Sequence, residues 1–154
     1  MIRFAKHKDI PTILELLRQV NLVHYEGRPD IFKLGTKYDE KEIEDILSSK
    51  NKPILVFVDG DDNVKGYCFC AIKEQVETRL LQRVKTLYID DLCVDENCRD
   101  KGIGSALYNS AVELAKELGC YNLTLNVWAC NPTALAFYEK QGLVPQKTFM
   151  EKIL

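Results

Sequence analysis

The spacing of apolar residues divides the chain into short strands and amphipathic helices. Ile2-Arg3-Phe4-Ala5 alternates as a short strand does. Asp9 stands at an N-cap position with Pro11 in the first turn, and Ile10, Ile13, Leu14, Leu17 and Val20 form one helical stripe. This predicts a helix ending near Asn21, then a polar loop from His24 to Asp30. Asp39 and Glu42 have capping-box spacing and predict an acidic helix over Asp39 to Leu47, whose thin apolar face (Ile43, Ile46, Leu47) suits the surface. Asn51-Lys52-Pro53 breaks the chain before a strand at Ile54–Val58; Asp59–Asn63 is a hairpin turn, and Val64–Ile72 is the returning strand. Residues 73–85 are charged and poorly periodic, a long loop or a frayed strand extension. Thr86–Val94 reads as a strand, and Lys101–Leu118 is the clearest helix, with Ile103, Ala106, Leu107, Ala111, Leu114, Ala115 and Leu118 on one face and Gly119 as its stop. Leu123, Leu125 and Val127 alternate as a buried strand, Pro132–Gln141 is a short helix closed by Gly142, and Lys147–Ile153 is a final strand.

Strand–helix–strand over 86–128 implies a right-handed crossover between parallel strands. The whole reads as an α/β (α+β) fold: one domain, residues 1–154, with a mixed sheet covered by helices on its faces. Composition agrees, since 154 residues at 46% hydrophobic suit one core. A net charge of −2 argues against a general nucleic-acid binder, which needs clustered cations. No apolar run approaches a membrane span, and the first residues contain none of signal-peptide length. The six cysteines (68, 70, 93, 98, 120 and 130) contain no Cys-x-x-Cys, and four of them (68, 70, 93 and 120) lie within or beside apolar runs. Reduced core thiols in a cytoplasmic protein are expected, with no disulfide framework and no metal.

Arg99-Asp100-Lys101-Gly102-Ile103-Gly104-Ser105 joins a strand end to the start of the best helix. Unpaired amides and the macrodipole favour an anion there, and two glycines let a bulky one approach the backbone. A phosphate or pyrophosphate site follows, with Arg99, Lys101 and Ser105 as extra donors; a plain glycine-containing turn is the other reading. A Walker A loop is excluded because Ser105-Ala106 follows Gly104, and a Rossmann fingerprint because position 107 is Leu. The preceding strand carries a second signal. Leu87 and Ile89 share one face, but Leu92 and Val94 have the opposite parity, so a β-bulge near Asp90-Asp91 is the natural repair. A bulge splays this strand from its parallel neighbour and leaves backbone groups free for an extended ligand. The alternative is a strand that stops at Ile89.

These residues carry a resemblance. Leu92-Cys93-Val94 followed by Arg99-Asp100-Lys101-Gly102-Ile103-Gly104 resembles the Arg/Gln-x-x-Gly-x-Gly/Ala acetyl-CoA motif of the GNAT superfamily of N-acetyltransferases. Asn131-Pro132-Thr133-Ala134-Leu135-Ala136-Phe137-Tyr138-Glu139-Lys140-Gln141-Gly142-Leu143 is similar to that superfamily's next motif, with Leu143 where Phe is common. The element order matches along nearly all of the chain. The resemblance implies a mostly antiparallel sheet with a bulged, splayed strand, and acetyl-CoA as co-substrate. By the same resemblance, the backbone at Leu92, Cys93 and Val94 would meet the pantetheine arm, and the loop from Arg99 through Asp100, Lys101, Gly102, Ile103 and Gly104 to Ser105 would hold the pyrophosphate. Asn131 and Ala134 would lie along the cofactor, Tyr138 would be general acid at its sulfur, and the Val94 N–H would serve as oxyanion donor. Without the resemblance, Tyr138 reads as a core aromatic beside Phe137.

The proton acceptor stays open: Asp91 or Asp90 at the bulge, Glu26 or His24 in the first loop, or a water chain. His24, Glu26 and Asp90 are candidates for holding a cationic acceptor, and Trp128 reads as a core cap. Two functions follow: an N-acetyltransferase acting on a primary amine of a small molecule or a peptide, or a non-catalytic acyl-CoA-binding module. No nucleic-acid or membrane partner is expected, and the chain is expected to be a monomer or a homodimer.

Overall fold

The computed structural model describes residues 1–154. Five strands, β1 (Ile2–Phe4), β2 (Ile54–Val58), β3 (Val64–Gln75), β4 (Val84–Val94) and β5 (Asn122–Leu125), stand side by side in chain order. The first three junctions are antiparallel and β4–β5 is parallel. Helices α1 (Ile10–Gly27) and α2 (Glu40–Leu47) precede β2; α3 (Ile103–Glu117) makes the β4–β5 crossover, and α4 (Pro132–Lys140) follows β5. Strand alternation sorts the core into two layers. Val56, Val58, Tyr67, Phe69 and Cys93 pack with Ile10, Ile13, Leu16, Leu17, Ile43 and Ile46 of α1 and α2. Leu55, Cys68, Cys70, Leu87 and Ile89 pack on the opposite face with Ile103, Leu107, Tyr108, Ala111 and Ala115 of α3.

Several expectations are corrected. Helix α1 runs past Asn21 to Gly27, so His24 and Glu26 sit on its last turns and not in a loop. Gly27 is required there because a Cβ would lie 2.8 Å from Cys130 Sγ. Asp9 begins α1 without capping it with its side chain. Its carboxylate instead takes Arg3 Nη1 at 2.7 Å, Arg3 Nη2 at 3.0 Å and the Lys6 amide at 2.7 Å. Burial pushes that carboxylate up, but the Arg3 and Lys6 bonds outweigh it and hold Asp9 below its usual range. The Asp39–Glu42 capping box is reciprocal, at 2.8 Å each way. Helix α2 nevertheless buries Ile43 and Ile46 in the core and does not simply lie on the surface. The charged stretch 73–85 divides between the ends of β3 and β4 and a loop over 76–83, so the extension reading holds. Strand β5 stops at Leu125, before Val127, and is only half-buried.

The predicted last strand is absent. Residues 144–154 are exposed and irregular, and one side-chain bond, Arg28 to Glu151, ties them down. Residues 147–154 read Lys-Thr-Phe-Met-Glu-Lys-Ile-Leu, with the apolar residues in adjacent pairs, so no single face of an extended strand gathers them for burial. All six cysteines are free; Cys68, Cys70 and Cys93 are buried, whereas Cys120 is half-buried. No helix is long and apolar enough to cross a membrane.

Candidate active site

The parity break is a real bulge. Phe69 pairs with Asp91 and Cys70 with Ile89, so Asp90 is the extra residue on β4. Parallel pairing with β5 runs from Thr86–Asn122 to Ile89–Leu125 and ends at the bulge, leaving a slot beyond it. The direction of the backbone groups in this slot follows from the register. The Asp95 amide donates to Lys65 O at 2.9 Å, and antiparallel pairs alternate between bonded and unbonded. Cys93 and Asp91 therefore turn their backbone groups to β3, while Leu92 and Val94 turn theirs to the slot. Cys93 departs from the expectation for it. Its backbone faces β3, and its thiol packs at 3.6 Å from Leu16 O, pushed up to about 12 by burial first and by Asp91 next.

Past β4 the chain makes a one-turn 3-10 segment at Glu96–Cys98 and enters α3 through Asp100 (φ 63°) and Gly102 (φ 74°). Both lie in the left-handed region, where a glycine at 102 is unstrained. Gly102 N-caps α3 with no side chain, so the amides of its first turn stay open above exposed Arg99 and Lys101. The two glycines do different jobs. A Cβ on Gly102 would meet nothing within 4 Å, whereas one on Gly104 would touch the Phe137 ring at 3.4 Å and Val94 Cγ2 at 3.6 Å. Gly104 thus lets α4 close on α3. The Ile103 side chain is buried in the core, and Ser105 Oγ accepts Gln141 Nε2 at 3.0 Å, leaving its own proton free to donate.

Helix α4 brings the second motif to the slot. Asn131 N-caps it, its Oδ1 accepting the Ala134 amide at 3.2 Å, so only the Asn131 side-chain amino group remains free. Phe137 and Tyr138 pack edge-to-face at 5.1 Å. The Tyr138 hydroxyl has no hydrogen-bond partner in the protein. Burial first, then the neighbouring Cys68, Asp91 and Cys93, raise its pKa and keep it a proton donor.

Around the bulge, three residues that sequence reasoning missed organise the two aspartates. Tyr67, fully buried on β3, donates to Asp91 Oδ2 at 2.8 Å. Lys37 contacts Asp90 Oδ1 at 3.1 Å and its carbonyl at 3.0 Å, and Tyr38 donates to Asp90 Oδ2. These contacts join positions far apart in sequence, and no local pattern marks them. Burial raises Asp91 from 3.8 to about 6, against the opposing Tyr67 hydrogen bond and Lys37 charge. Asp91 therefore titrates close to neutrality.

A third group closes the open side. His24 stacks on Phe32 at 5.1 Å, and Phe32 meets Trp128 edge-on at 4.9 Å. Burial, then the Lys37 charge, lowers the His24 pKa and favours its neutral form. Trp128 is 41% exposed and caps no core, contrary to expectation. Glu26 is exposed without a side-chain partner and does not join this cluster. Tyr88 continues the wall, receiving Asn126 Nδ2 at 3.2 Å with Lys73 Nζ 3.8 Å from its ring centre.

Known proteins resemble the chain in both sequence and shape. Thialysine N-epsilon-acetyltransferase of Bos taurus is 27% identical over 153 residues, spanning 92% of this chain and 82% of its own length. Human N-alpha-acetyltransferase 30 is 32% identical over 139 residues, which is 84% of this chain but 36% of that protein. The crystal structure of a mutant of the Bacillus halodurans protein BH1408 superposes with a TM-score of 0.97 at 30% identity, covering 100% of this chain and 99% of that one. The acetyltransferase (GNAT) family model matches residues 17–143, and with the bulged strand and both motifs in place the chain belongs to that family of N-acetyltransferases.

Proposed function

We propose that the protein transfers an acetyl group from acetyl-CoA to a primary amine of a small molecule or a peptide by direct attack. The observation that carries this reading is the slot itself: the outward backbone groups of Leu92 and Val94, the open first turn of α3 and the unpartnered Tyr138 hydroxyl all border it. The residues present fit the cofactor. A polyanion suits a helix N-terminus with Arg99 and Lys101 beside it and open space at Gly102, and an amide-bearing arm suits a free strand edge. Asp100, Ile103, Gly104 and Ser105 would complete the pyrophosphate loop, and the free amino group of Asn131 would reach the arm, with Ala134 beside it. When bound, acetyl-CoA supplies the electrophilic thioester.

The chain's own groups then divide the work. Asp91, near neutrality in pKa, takes the proton that an ammonium must lose before its nitrogen can attack. The Val94 N–H meets the negative charge that builds on the carbonyl oxygen as the C–N bond forms. As the C–S bond breaks, Tyr138 gives its proton to the leaving sulfur and recovers one from the attacking nitrogen. Asp90, clamped by Lys37 and Tyr38, and His24 with Phe32 and Trp128 form the acceptor side. This wall holds both charges and aromatic faces, which suits an amine carried on a polar body such as an amino acid or a peptide terminus.

Acetyl-CoA should raise the melting temperature, whereas NAD and ATP should not. Tyr138→Phe should lower kcat by about 10²–10⁴-fold while the acetyl-CoA-induced thermal shift stays unchanged. Absence of any shift at saturating acetyl-CoA overturns the reading, and unchanged turnover removes Tyr138 as the acid.

A further inference from the structure

One amine of the chain itself stands where the chemistry needs an amine. Lys37 lies in the loop between α1 and α2, and its Nζ is held at the bulge by Asp90 Oδ1 at 3.1 Å and by the Asp90 carbonyl at 3.0 Å. It is the only lysine bonded to either aspartate of the bulge. The loop that carries it is fixed on both sides. Asn21 of α1 donates to the Lys33 carbonyl at 3.0 Å and accepts the Gly35 amide at 2.9 Å. Tyr38 packs its ring 5.5 Å from that of Phe69 and donates to Asp90 Oδ2. The Lys37 side chain is 44% exposed, so its flexible four-carbon stem can swing while its backbone stays in place.

Asp90 is the extra residue of β4, at the point where parallel pairing ends with Ile89–Leu125 and the slot opens. The Lys37 charge is felt on both sides of that point. Burial first and Lys37 next lower the His24 pKa; at Asp91 burial raises the pKa, and Tyr67 and then Lys37 oppose it. The ammonium therefore stands between the proton acceptor and the aromatic wall. An incoming acceptor ammonium needs the same place, and the Asp90 oxygens that would receive it are already taken.

We infer that Lys37 is an acetyl acceptor built into the chain, modified in cis from acetyl-CoA in the slot; this rests on the transfer reading above. Asp91 takes one proton from the Lys37 ammonium and passes it to solvent. The neutral nitrogen attacks the thioester carbon, so the C–N bond forms and the C–S bond breaks. The second proton of the nitrogen leaves through Tyr138 to the sulfur, giving an acetamide, a free CoA thiol and one released proton. A tethered amine presents itself at an effective concentration on the order of 1 mM or more, so Lys37 reacts when free acceptor is scarce. The product has lost its charge, which releases Asp90 and withdraws the cation facing Asp91.

Acetylation mapped lysine by lysine tests this. The full chain is incubated with acetyl-CoA and no amine, then digested, and its peptides are quantified by mass spectrometry. A parallel sample receives trace acetic anhydride and no cofactor, which ranks the lysines by chemical reactivity alone. With acetyl-CoA, Lys37 should gain one acetyl group about tenfold or more faster than exposed Lys33 and Lys41. With anhydride it should rank below them, because Asp90 holds its ammonium. The rate should not depend on protein concentration, and Tyr138→Phe should slow it by about 10²-fold or more. Lys37→Arg should remove the mark without moving it to another lysine. The same ranking with both reagents, a rate that rises with protein concentration, or a mark unaffected by Tyr138→Phe would each overturn the inference. Turnover on a panel of free amines is measured alongside. CoA release there with Lys37 unmodified overturns this inference alone, whereas neither release nor modification removes the transfer reading as well.

Discussion

Replacing Asp91 with Asn should make the protein more stable and less active, with both effects depending on pH. The carboxylate is held at about 6 against 3.8 in a model environment, because burial disfavours its charge more than Tyr67 and Lys37 favour it. A group whose pKa is raised on folding stabilises the fold at low pH and loses that contribution as pH climbs through the folded value. At pH 4 the folded wild-type side chain is neutral and most of the penalty for burying its charge is absent, so Asp91→Asn should change little. By pH 8 the wild type carries the charge. The shift corresponds to at most about 3 kcal/mol, and solvent access at the slot reduces this to about 1–2 kcal/mol. For a chain of this size each kcal/mol moves Tm by about 2–4 °C. Asn keeps an oxygen for the Tyr67 hydroxyl, so packing is preserved. Melts at pH 4 and pH 8, paired with initial rates at pH 8, should show a Tm gain only at the higher pH and a fall in kcat of about 10²-fold or more. An equal loss of Tm at both pH values would refute the reasoning, since Asp91 would then be a structural anchor and not a strained base.

Three further perturbations probe other parts of the account. Tyr67→Phe removes a hydrogen bond to a carboxylate, which should move the acidic limb of the kcat/KM profile upward by about one unit; an unmoved limb separates Tyr67 from the chemistry. Gly27→Ala puts a Cβ 2.8 Å from Cys130 Sγ and 2.9 Å from Cys130 Cβ and should lower stability by about 1–3 kcal/mol in a denaturant melt, with relief when Cys130→Gly is added but not with Cys130→Ala, which keeps the Cβ. Arg3→Met leaves the buried Asp9 carboxylate unpaired and should cost about 3–5 kcal/mol at neutral pH, a loss that shrinks as the solution is acidified through the carboxylate range.

What could be read from the sequence was local. The bulge shows as a parity switch between Ile89 and Leu92, which a continuous strand can accommodate only with an extra residue, and the anion loop shows as a glycine pair at a helix start. The capping box of α2 spans only the four residues Asp39–Glu42 and is legible for the same reason. Contacts across the sheet were not. Tyr67 reaches Asp91 from the neighbouring strand, and Lys37 and Tyr38 reach Asp90 from a loop some fifty positions away, with nothing in the local pattern to mark them. The end of α1 was missed because His24 and Glu26 look like loop residues, whereas Leu22, Val23 and Tyr25 carry the helix on to Gly27. The expected last strand is absent for a different reason: Phe149-Met150 and Ile153-Leu154 stand as adjacent apolar pairs, which mark no single face for a sheet to bury.

The central claim is that a cofactor lies along the splayed edge of β4 and on the first turn of α3. Amide hydrogen exchange measured residue by residue, with and without saturating acetyl-CoA, tests it most directly. Protection should appear at Leu92, Val94 and the amides from Ile103 to Ser105, while Cys93, already bonded to β3, stays unchanged. Protection elsewhere with none at these positions would contradict the account.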